Sequence, residues 1–482
     1  MSGGLPSAAR SLAGLARSVS GLAENRLGLL VSILIGLGVT LRLILIWTTT
    51  SPTVPYNLLY PGYGDGARYA SIAHSLLETS TFGYAGRATA FRSPAYPALL
   101  ALTWKAFGPT LTPIRLLQVG MFVLMTVVYS RVVATRFGKT AAALTTVILS
   151  VYPMFVFLST EIATESLYML TESCAFALTL AVLQPGQSRT GRAWMSFGAG
   201  LCCGAGGLTR PNMFAIFLVA AGLILWSGIR DRGAPARWVV PVLALVLGNY
   251  AVLGPWLIRN QRTIGAASLA TNIDYNFFRG TFDVAGIGAT ESLLVAKFRE
   301  HDVMYEGDIE DPGRAGLPYD EVSNERQARA AALAIIRADP ARWFRDRLQN
   351  AAYLWLNLQW VDDYLANPFV RVSSASVTVF YYLLLLAAAY GFVQFRRKQF
   401  DPGQRRFVVT AWLFILAVMP VVLTIVGKRY RVAMIDPFLA MLASVTVAAW
   451  LNRTGARMKP ANPAARRVSS DRIPDGSGYA GS

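Results

Sequence analysis

Asp65, Arg68 and Tyr69, within Gly64-Asp65-Gly66-Ala67-Arg68-Tyr69, bring a carboxylate, a guanidinium and a phenol into one short polar stretch just beyond the first long hydrophobic segment. A carboxylate so placed can take a proton from an attacking hydroxyl, and a guanidinium can hold a phosphate through paired hydrogen bonds. Arg92-Ser93-Pro94-Ala95-Tyr96-Pro97 adds a second guanidinium beside prolines that stiffen the backbone ahead of the next apolar run. Farther along, Glu161 and Glu165 stand four positions apart and share a face if that segment is helical. Arg210 sits in Thr209-Arg210-Pro211-Asn212, and Lys428, Arg429 and Arg431 crowd one short turn.

Each group also has a plainer reading. Asp65 would cap a helix starting at Ala67, and Glu161 or Glu165 would be a terminal charge favoured by the helix dipole. The basic residues would snorkel toward lipid head groups, as would Arg42 near the end of the first hydrophobic segment. His74 and His301 are the only histidines, and Cys174, Cys202 and Cys203 all fall in apolar segments. A zinc site of ordinary ligand spacing is therefore not expected, and no disulfide framework can be read.

These residues need a scaffold, and composition names its class. Of 482 residues 54% are apolar and 15% charged, where soluble proteins carry about 25% charged residues. Runs of about 20 apolar residues recur, each long enough to cross the hydrocarbon as a helix. The sequence predicts an all-α polytopic membrane protein with spans at 28–47, 113–133, 139–157, 166–184, 194–209, 212–228, 238–257, 374–394, 407–427 and 432–450. The shorter stretch 95–107, interrupted by Pro97 and Lys105, is expected as a re-entrant or interfacial helix.

The net charge of +18 does not point to nucleic acid, because the positive residues are distributed by loop. Arg131, Arg136 and Lys139, then Arg189 and Arg192, then Arg230, Arg232 and Arg237, and finally Arg396 to Arg406 all fall on the side of the basic N-terminus. Both termini are then cytoplasmic. The first span follows Arg10, Arg17 and Arg26 without a small-residue cleavage site, so it is expected to stay as an anchor.

This threading divides the chain into a basic cytoplasmic N-terminus (1–27), an N-terminal transmembrane module (28–257), an outer lobe (258–373), C-terminal transmembrane helices (374–450) and a disordered basic tail (451–482). The loop 48–112, the turn near 158–165, Arg210, the lobe and the turn 428–431 face outward. The first loop is expected to hold a short interfacial helix from Ala67 to Leu77. In the lobe, one helix should run from Asp320 or Ser323 to Arg337 and a second from Ala341 to Trp355. Without a Gly-rich loop after a strand, the lobe is not read as a nucleotide-binding domain. Lys428, Arg429, Arg431 and Arg210 break the positive-inside rule, so an anionic ligand at the outer leaflet is one reason for them.

In order along the chain stand Asp65-Gly-Ala-Arg68-Tyr69, Arg92-Ser-Pro94, Tyr152-Pro153 followed by Thr164-Glu165, Arg210-Pro211, Pro255-Trp256-Leu-Ile-Arg259-Asn260 and Lys428-Arg429-Tyr430-Arg431. That series resembles bacterial glycosyltransferases of families 39 and 83, membrane enzymes of the GT-C fold. They are related to protein O-mannosyltransferases and to the aminoarabinose transferases that modify lipid A. The resemblance implies an inverting transfer of a sugar from a polyprenyl-phosphate donor to a glycan, glycolipid or protein acceptor, on the outer face of the cytoplasmic (inner) membrane. It makes Asp65 the general base and Glu165 the second acid, with Arg68 and Tyr69 supporting the base. Arg92, Arg210, Arg259, Lys428, Arg429 and Arg431 are expected to bind substrate.

Two departures from the family pattern matter. Gly66 stands where many relatives have Glu, so the role of that second carboxylate is missing or passes to Glu161. Arg92-Ser93-Pro94 replaces basic-Pro-Pro, and no cofactor is indicated, with divalent-metal dependence left open. Two rivals keep the lipid carrier: a flippase or transporter of a lipid-linked anionic glycan, and an oligosaccharide polymerase or ligase. The absence of an internal repeat counts against a transporter of duplicated halves, and a polymerase would be expected to place its chemistry in a large late loop.

Overall fold

The structure is a computed structural model that describes residues 28–48, 65–84, 86–230, 236–282, 291–310, 320–356, 368–396, 400–424 and 428–457. The expected N-terminal segment 1–27 and most of the expected basic tail lie outside these residues. The chain is a predominantly helical membrane protein. Helix α1 (Gly28–Thr48) is followed by α2 (Asp65–Thr79), a short antiparallel hairpin of β1 (Gly83–Tyr84) and β2 (Arg87–Ala88), and α3 (Ala95–Phe107). Then come α4 (Thr112–Val151), α5 (Pro153–Leu158), α6 (Glu165–Val182), α7 (Arg189–Thr209), α8 (Met213–Arg230) and α9 (Ala236–Ile264). A lobe between α9 and the last helices contains α10 (Ile273–Gly280), α11 (Glu291–Glu300), α12 (Glu306–Glu310), α13 (Glu321–Ala338) and α14 (Pro340–Leu356). Helices α15 (Pro368–Arg396), α16 (Pro402–Thr424), α17 (Lys428–Met434) and α18 (Asp436–Arg457) complete the chain.

Among the described residues five helices are long and apolar enough to cross a membrane: α1, α4, α8, the part of α9 from Trp238 to Ile264, and the part of α16 from Pro402 to Val421. Helix α4 is not one straight rod. Ser130 and Thr146 would lie about 24 Å apart in an uninterrupted helix, yet their hydroxyls are hydrogen-bonded at 2.7 Å. The chain reverses at Gly138, whose φ of 83° is open to glycine at little steric cost. The two halves answer to the separate spans expected at 113–133 and 139–157. The second of these is broken again at Tyr152, which Pro153 forces out of helical geometry.

Helices α7 and α9 pack backbone to backbone. A Cβ on Gly200 would meet the Leu245 carbonyl oxygen at 2.1 Å, and one on Gly248 would meet that of Phe197 at 2.2 Å. Small residues give membrane helices this close approach, which lipid-like apolar bulk alone would not drive. The bundle core collects Tyr129, Phe176, Phe407, Phe414 and Phe438 edge to face.

The lobe has a core of its own, built from Tyr275, Phe278, Phe298, Ile309, Ala328 and Ala332, and Phe91 from the segment between α2 and α3 is buried inside it. The lobe is thus stitched to the loop that carries Arg92. As expected, Asp320 starts a helix here: its carboxylate accepts from the Val322 and Ser323 amides to cap α13.

Arg42 does not snorkel. It is 1% exposed, donates to Ser159 Oγ at 2.8 Å and to the Gly38 and Ser150 carbonyls at 2.8 and 2.9 Å, and stacks on Phe122. Its Nε and Nη1 are held by oxygen acceptors inside the bundle, although Nη2 is buried without a hydrogen-bond partner.

Candidate active site at the helix ends

Asp65 opens α2, within its first turn rather than ahead of it as a cap. Its Oδ1 lies 3.2 Å from Arg92 Nη1. Arg92 Nη2 in turn contacts Glu306 Oε2 at 2.9 Å, and Glu306 Oε1 lies 3.2 Å from Arg68 Nη1. Two carboxylates and two guanidiniums therefore alternate in one chain of ion pairs. Their side chains are between 10% and 15% exposed, largely shielded from bulk water. Burial works most strongly against the charge on Arg92, but Glu306 together with the Tyr84, Tyr69 and Tyr430 phenols outweighs it, and the guanidinium pKa is raised above its ordinary value.

The backbone around Arg92 is fixed from the lobe. The Glu321 carboxylate accepts from the Ala90 amide and from Thr271 Oγ1, both at 2.9 Å, and from Thr89 Oγ1. The Thr271 amide closes the arrangement by donating to the Ala90 carbonyl at 2.9 Å. Burial raises the Glu321 carboxyl pKa, against the pull of those donors.

A second pair lies within the bundle mouth. Arg210 Nη2 donates to Glu165 Oε1 at 2.7 Å and Nε to Thr164 Oγ1 at 2.6 Å, while its guanidinium stacks over Tyr430 with 4.8 Å to the ring centre. Glu165, at 0% exposed, starts α6. Tyr69 and Tyr430 stand between the two pairs: Arg92, Arg210 and Glu165 all act electrostatically on the Tyr69 phenol, whose pKa burial raises. The Tyr430 phenol acts on both Arg92 and Arg210.

Glu161 precedes α6 in an irregular turn, so it does not share a helix face with Glu165. That turn is pinned by Gln118, which donates to the Glu161 and Ser159 carbonyls at 2.6 and 3.1 Å, and by Arg115, which donates to the Thr160 carbonyl at 2.9 Å. It also lies against α2, where a Cβ on Gly66 would meet the Ile162 carbonyl oxygen at 3.2 Å.

Two expected substrate contacts have other work. Arg259 is spent on backbone: it donates to the Thr89 and Phe82 carbonyls at 2.7 and 2.9 Å and stacks on Trp256, fastening the β1–β2 hairpin. Arg431 is fully buried, 3.2 Å from Asp436, donating to the Leu354 carbonyl at 2.7 Å and lying 3.7 Å over the Tyr381 ring. These contacts place Arg431 in the closing of the bundle, a burial that does not suit the phosphate contact expected of it. The side chains of Lys428 and Arg429 lie outside the described residues.

Glu306, Glu321 and Tyr430 are site residues that motif and spacing did not single out. Nothing in spacing could pair Glu306 with Arg92, since 214 positions separate them. Tyr430, by contrast, stood within a basic run already marked as out of place. Among the described residues no three histidine, cysteine or acidic side chains group closely enough to hold a metal ion.

At the mouth of the bundle acids and guanidiniums thus alternate, and guanidiniums so placed are groups that could meet an anion. Over residues 91–258 the sequence matches the family described as dolichyl-phosphate-mannose-protein mannosyltransferase. The chain is thus similar to the glycosyltransferases that its motif order resembles. No curated protein matches it. Solved structures that align with it include ArnT from Cupriavidus metallidurans bound to undecaprenyl phosphate, at 16% identity and a TM-score of 0.41, covering 87% of this chain and 78% of that one. Another is the oligosaccharyltransferase AglB from Archaeoglobus fulgidus in complex with an inhibitory peptide and a dolichol-phosphate, at 12% identity and a TM-score of 0.48. That alignment covers 92% of this chain and 52% of the archaeal one. At such identities neither structure places a residue or a reaction in this chain.

Proposed function

We propose that this protein is a GT-C glycosyltransferase that moves a sugar from a polyprenyl-phosphate donor to an acceptor hydroxyl at the outer face of the membrane. The observation that carries this reading is the Asp65 carboxylate held beside the Arg68 and Arg92 guanidiniums, partly shielded at the mouth of the bundle. Family similarity over 91–258, which includes Arg92, Glu165 and Arg210, supports it.

In the reaction, Asp65 takes the proton from the acceptor hydroxyl as its oxygen bonds to the anomeric carbon. The bond from that carbon to the phosphate oxygen breaks on the opposite side, so configuration inverts. The electron pair leaves on the lipid phosphate, whose growing charge Arg68 and Arg92 stabilise. Proton abstraction by a positioned carboxylate contributes on the order of 10² to 10⁴ in rate. Tyr69 packs beneath this group against Tyr96, and Glu165 with Arg210 fixes the ring of Tyr430 at its edge. Glu165 acts there as a support, since its carboxylate is buried and ion-paired.

The test is transfer by purified protein from a labelled polyprenyl-phosphate sugar, with mass spectrometry of envelope glycans from cells with and without the protein to find the acceptor. Transport of the labelled lipid without release of polyprenyl phosphate would favour the flippase reading instead.

A further inference from the structure

Glu306 lies across both guanidiniums that the proposed reaction gives to the donor phosphate, one carboxylate oxygen on each. An oxyanion shared between two arginines is the arrangement a phosphate would adopt there. Here the chain supplies it.

Charge decides how a phosphate can enter. Asp65 and Glu306 already set two carboxylates against the Arg68 and Arg92 guanidiniums. A donor phosphodiester entering beside Glu306 would bring a third anion into this shielded group and face both carboxylates. Entering in place of Glu306, it exchanges one anion for another. It also leaves Asp65 where the acceptor needs it.

We infer that Glu306 is a built-in stand-in for the donor phosphate: it holds Arg68 and Arg92 in the resting protein and yields them to the lipid carrier. The exchange needs only rotation of one side chain. Glu306 opens the five-residue helix α12, whose far end is tied to the hairpin through Arg87 Nη2 and the Ile309 carbonyl at 2.9 Å and is buried in the lobe core. After transfer, the returning carboxylate competes with the product, polyprenyl phosphate, and helps release it. The sign of the effect separates this role from simple support. A residue that positions the arginines weakens phosphate binding when it is neutralised, whereas a competitor strengthens it.

The inference rests on the assignment of Arg68 and Arg92 to phosphate, so the experiment tests both. Affinity of the purified full chain in nanodiscs for undecaprenyl phosphate is measured for the wild type, Arg92→Ala and Glu306→Gln. If Glu306 occupies the arginines about nine-tenths of the time, Glu306→Gln binds about tenfold more tightly. The donor KM falls in parallel and product inhibition deepens. Weaker or unchanged binding in Glu306→Gln, alongside weakened binding in Arg92→Ala, overturns the stand-in and leaves the phosphate site intact. Unchanged binding in Arg92→Ala removes the phosphate site and the stand-in with it. Glu306→Asp keeps the charge but shortens its reach, and is read by the same sign should the Gln variant not fold.

Discussion

Asp65→Asn is the most direct probe of the proposed chemistry, because it keeps the shape of the side chain and removes its basicity. The general-base contribution of two to four decades corresponds to about 2.7 to 5.4 kcal/mol of lost transition-state stabilisation, at 1.36 kcal/mol per decade. The cost to the fold is much smaller. Asp65 meets Arg92 at 3.2 Å with both side chains partly exposed, and Arg92 keeps its partner Glu306, so the lost ion pair contributes on the order of 1 kcal/mol. Single-turnover transfer from a radiolabelled polyprenyl-phosphate sugar should therefore slow by about 10² to 10⁴. The melting temperature should hardly move, and donor affinity should be kept or improved as Arg92 loses a competing anion. Turnover within about fivefold of wild type would refute the base assignment, since general-base catalysis cannot be removed so cheaply. A loss confined to KM would also refute it and recast Asp65 as a group that binds substrate alone.

The supporting contacts carry three further expected outcomes. Glu321→Gln puts an amide donor where Thr89, Ala90 and Thr271 all donate, so kcat/KM should fall about tenfold through displacement of Arg92, and unchanged kinetics would free Arg92 from control by the lobe. Glu325 has its pKa raised to about 7, first by burial and then by Asp274. With the folded value above the unfolded one, its contribution to stability is full below the unfolded pKa and is lost as pH rises through about 7. Glu325→Gln should flatten the melting temperature between those limits and leave the variant the more stable above pH 7; equal pH slopes in both proteins would contradict this. Arg431→Met strands the buried Asp436 carboxylate and should cost about 3 to 5 kcal/mol, seen as lost folded yield in size-exclusion chromatography. A folded Arg431→Met protein with weakened carrier binding would restore the phosphate role for that residue.

The difference between what the sequence disclosed and what it did not arises from where interaction partners lie. Asp65, Arg68 and Tyr69 are neighbours in the chain, and a single helix, α2, delivers all three to one place. Helix ends were legible for the same local reason: Asp320 caps α13 and Gly138 reverses the chain within α4. Against ten expected spans, five helices among the described residues are long and apolar enough to cross a membrane. Glu306 could not be found that way, because its meaning comes from Arg92, 214 positions distant, brought close by a lobe core that swallows Phe91.

The basic turn near 428 exposes a subtler limit. Charge statistics marked Lys428, Arg429 and Arg431 as misplaced for an outer loop, but they treat a run of residues as a unit. A helix does not, since adjacent residues on α17 project about 100° apart. Tyr430 turns toward Arg210 and the site, while Arg431 turns inward onto Tyr381 and Asp436. The answer to Arg431 stood five positions away, as the acid that opens α18. A basic residue that breaks the positive-inside rule therefore needs its nearest acid accounted for before it is given to a ligand. By that standard Arg431 is accounted for by the fold, and Arg92, which keeps partial exposure beside two acids, is the residue that the proposed chemistry needs.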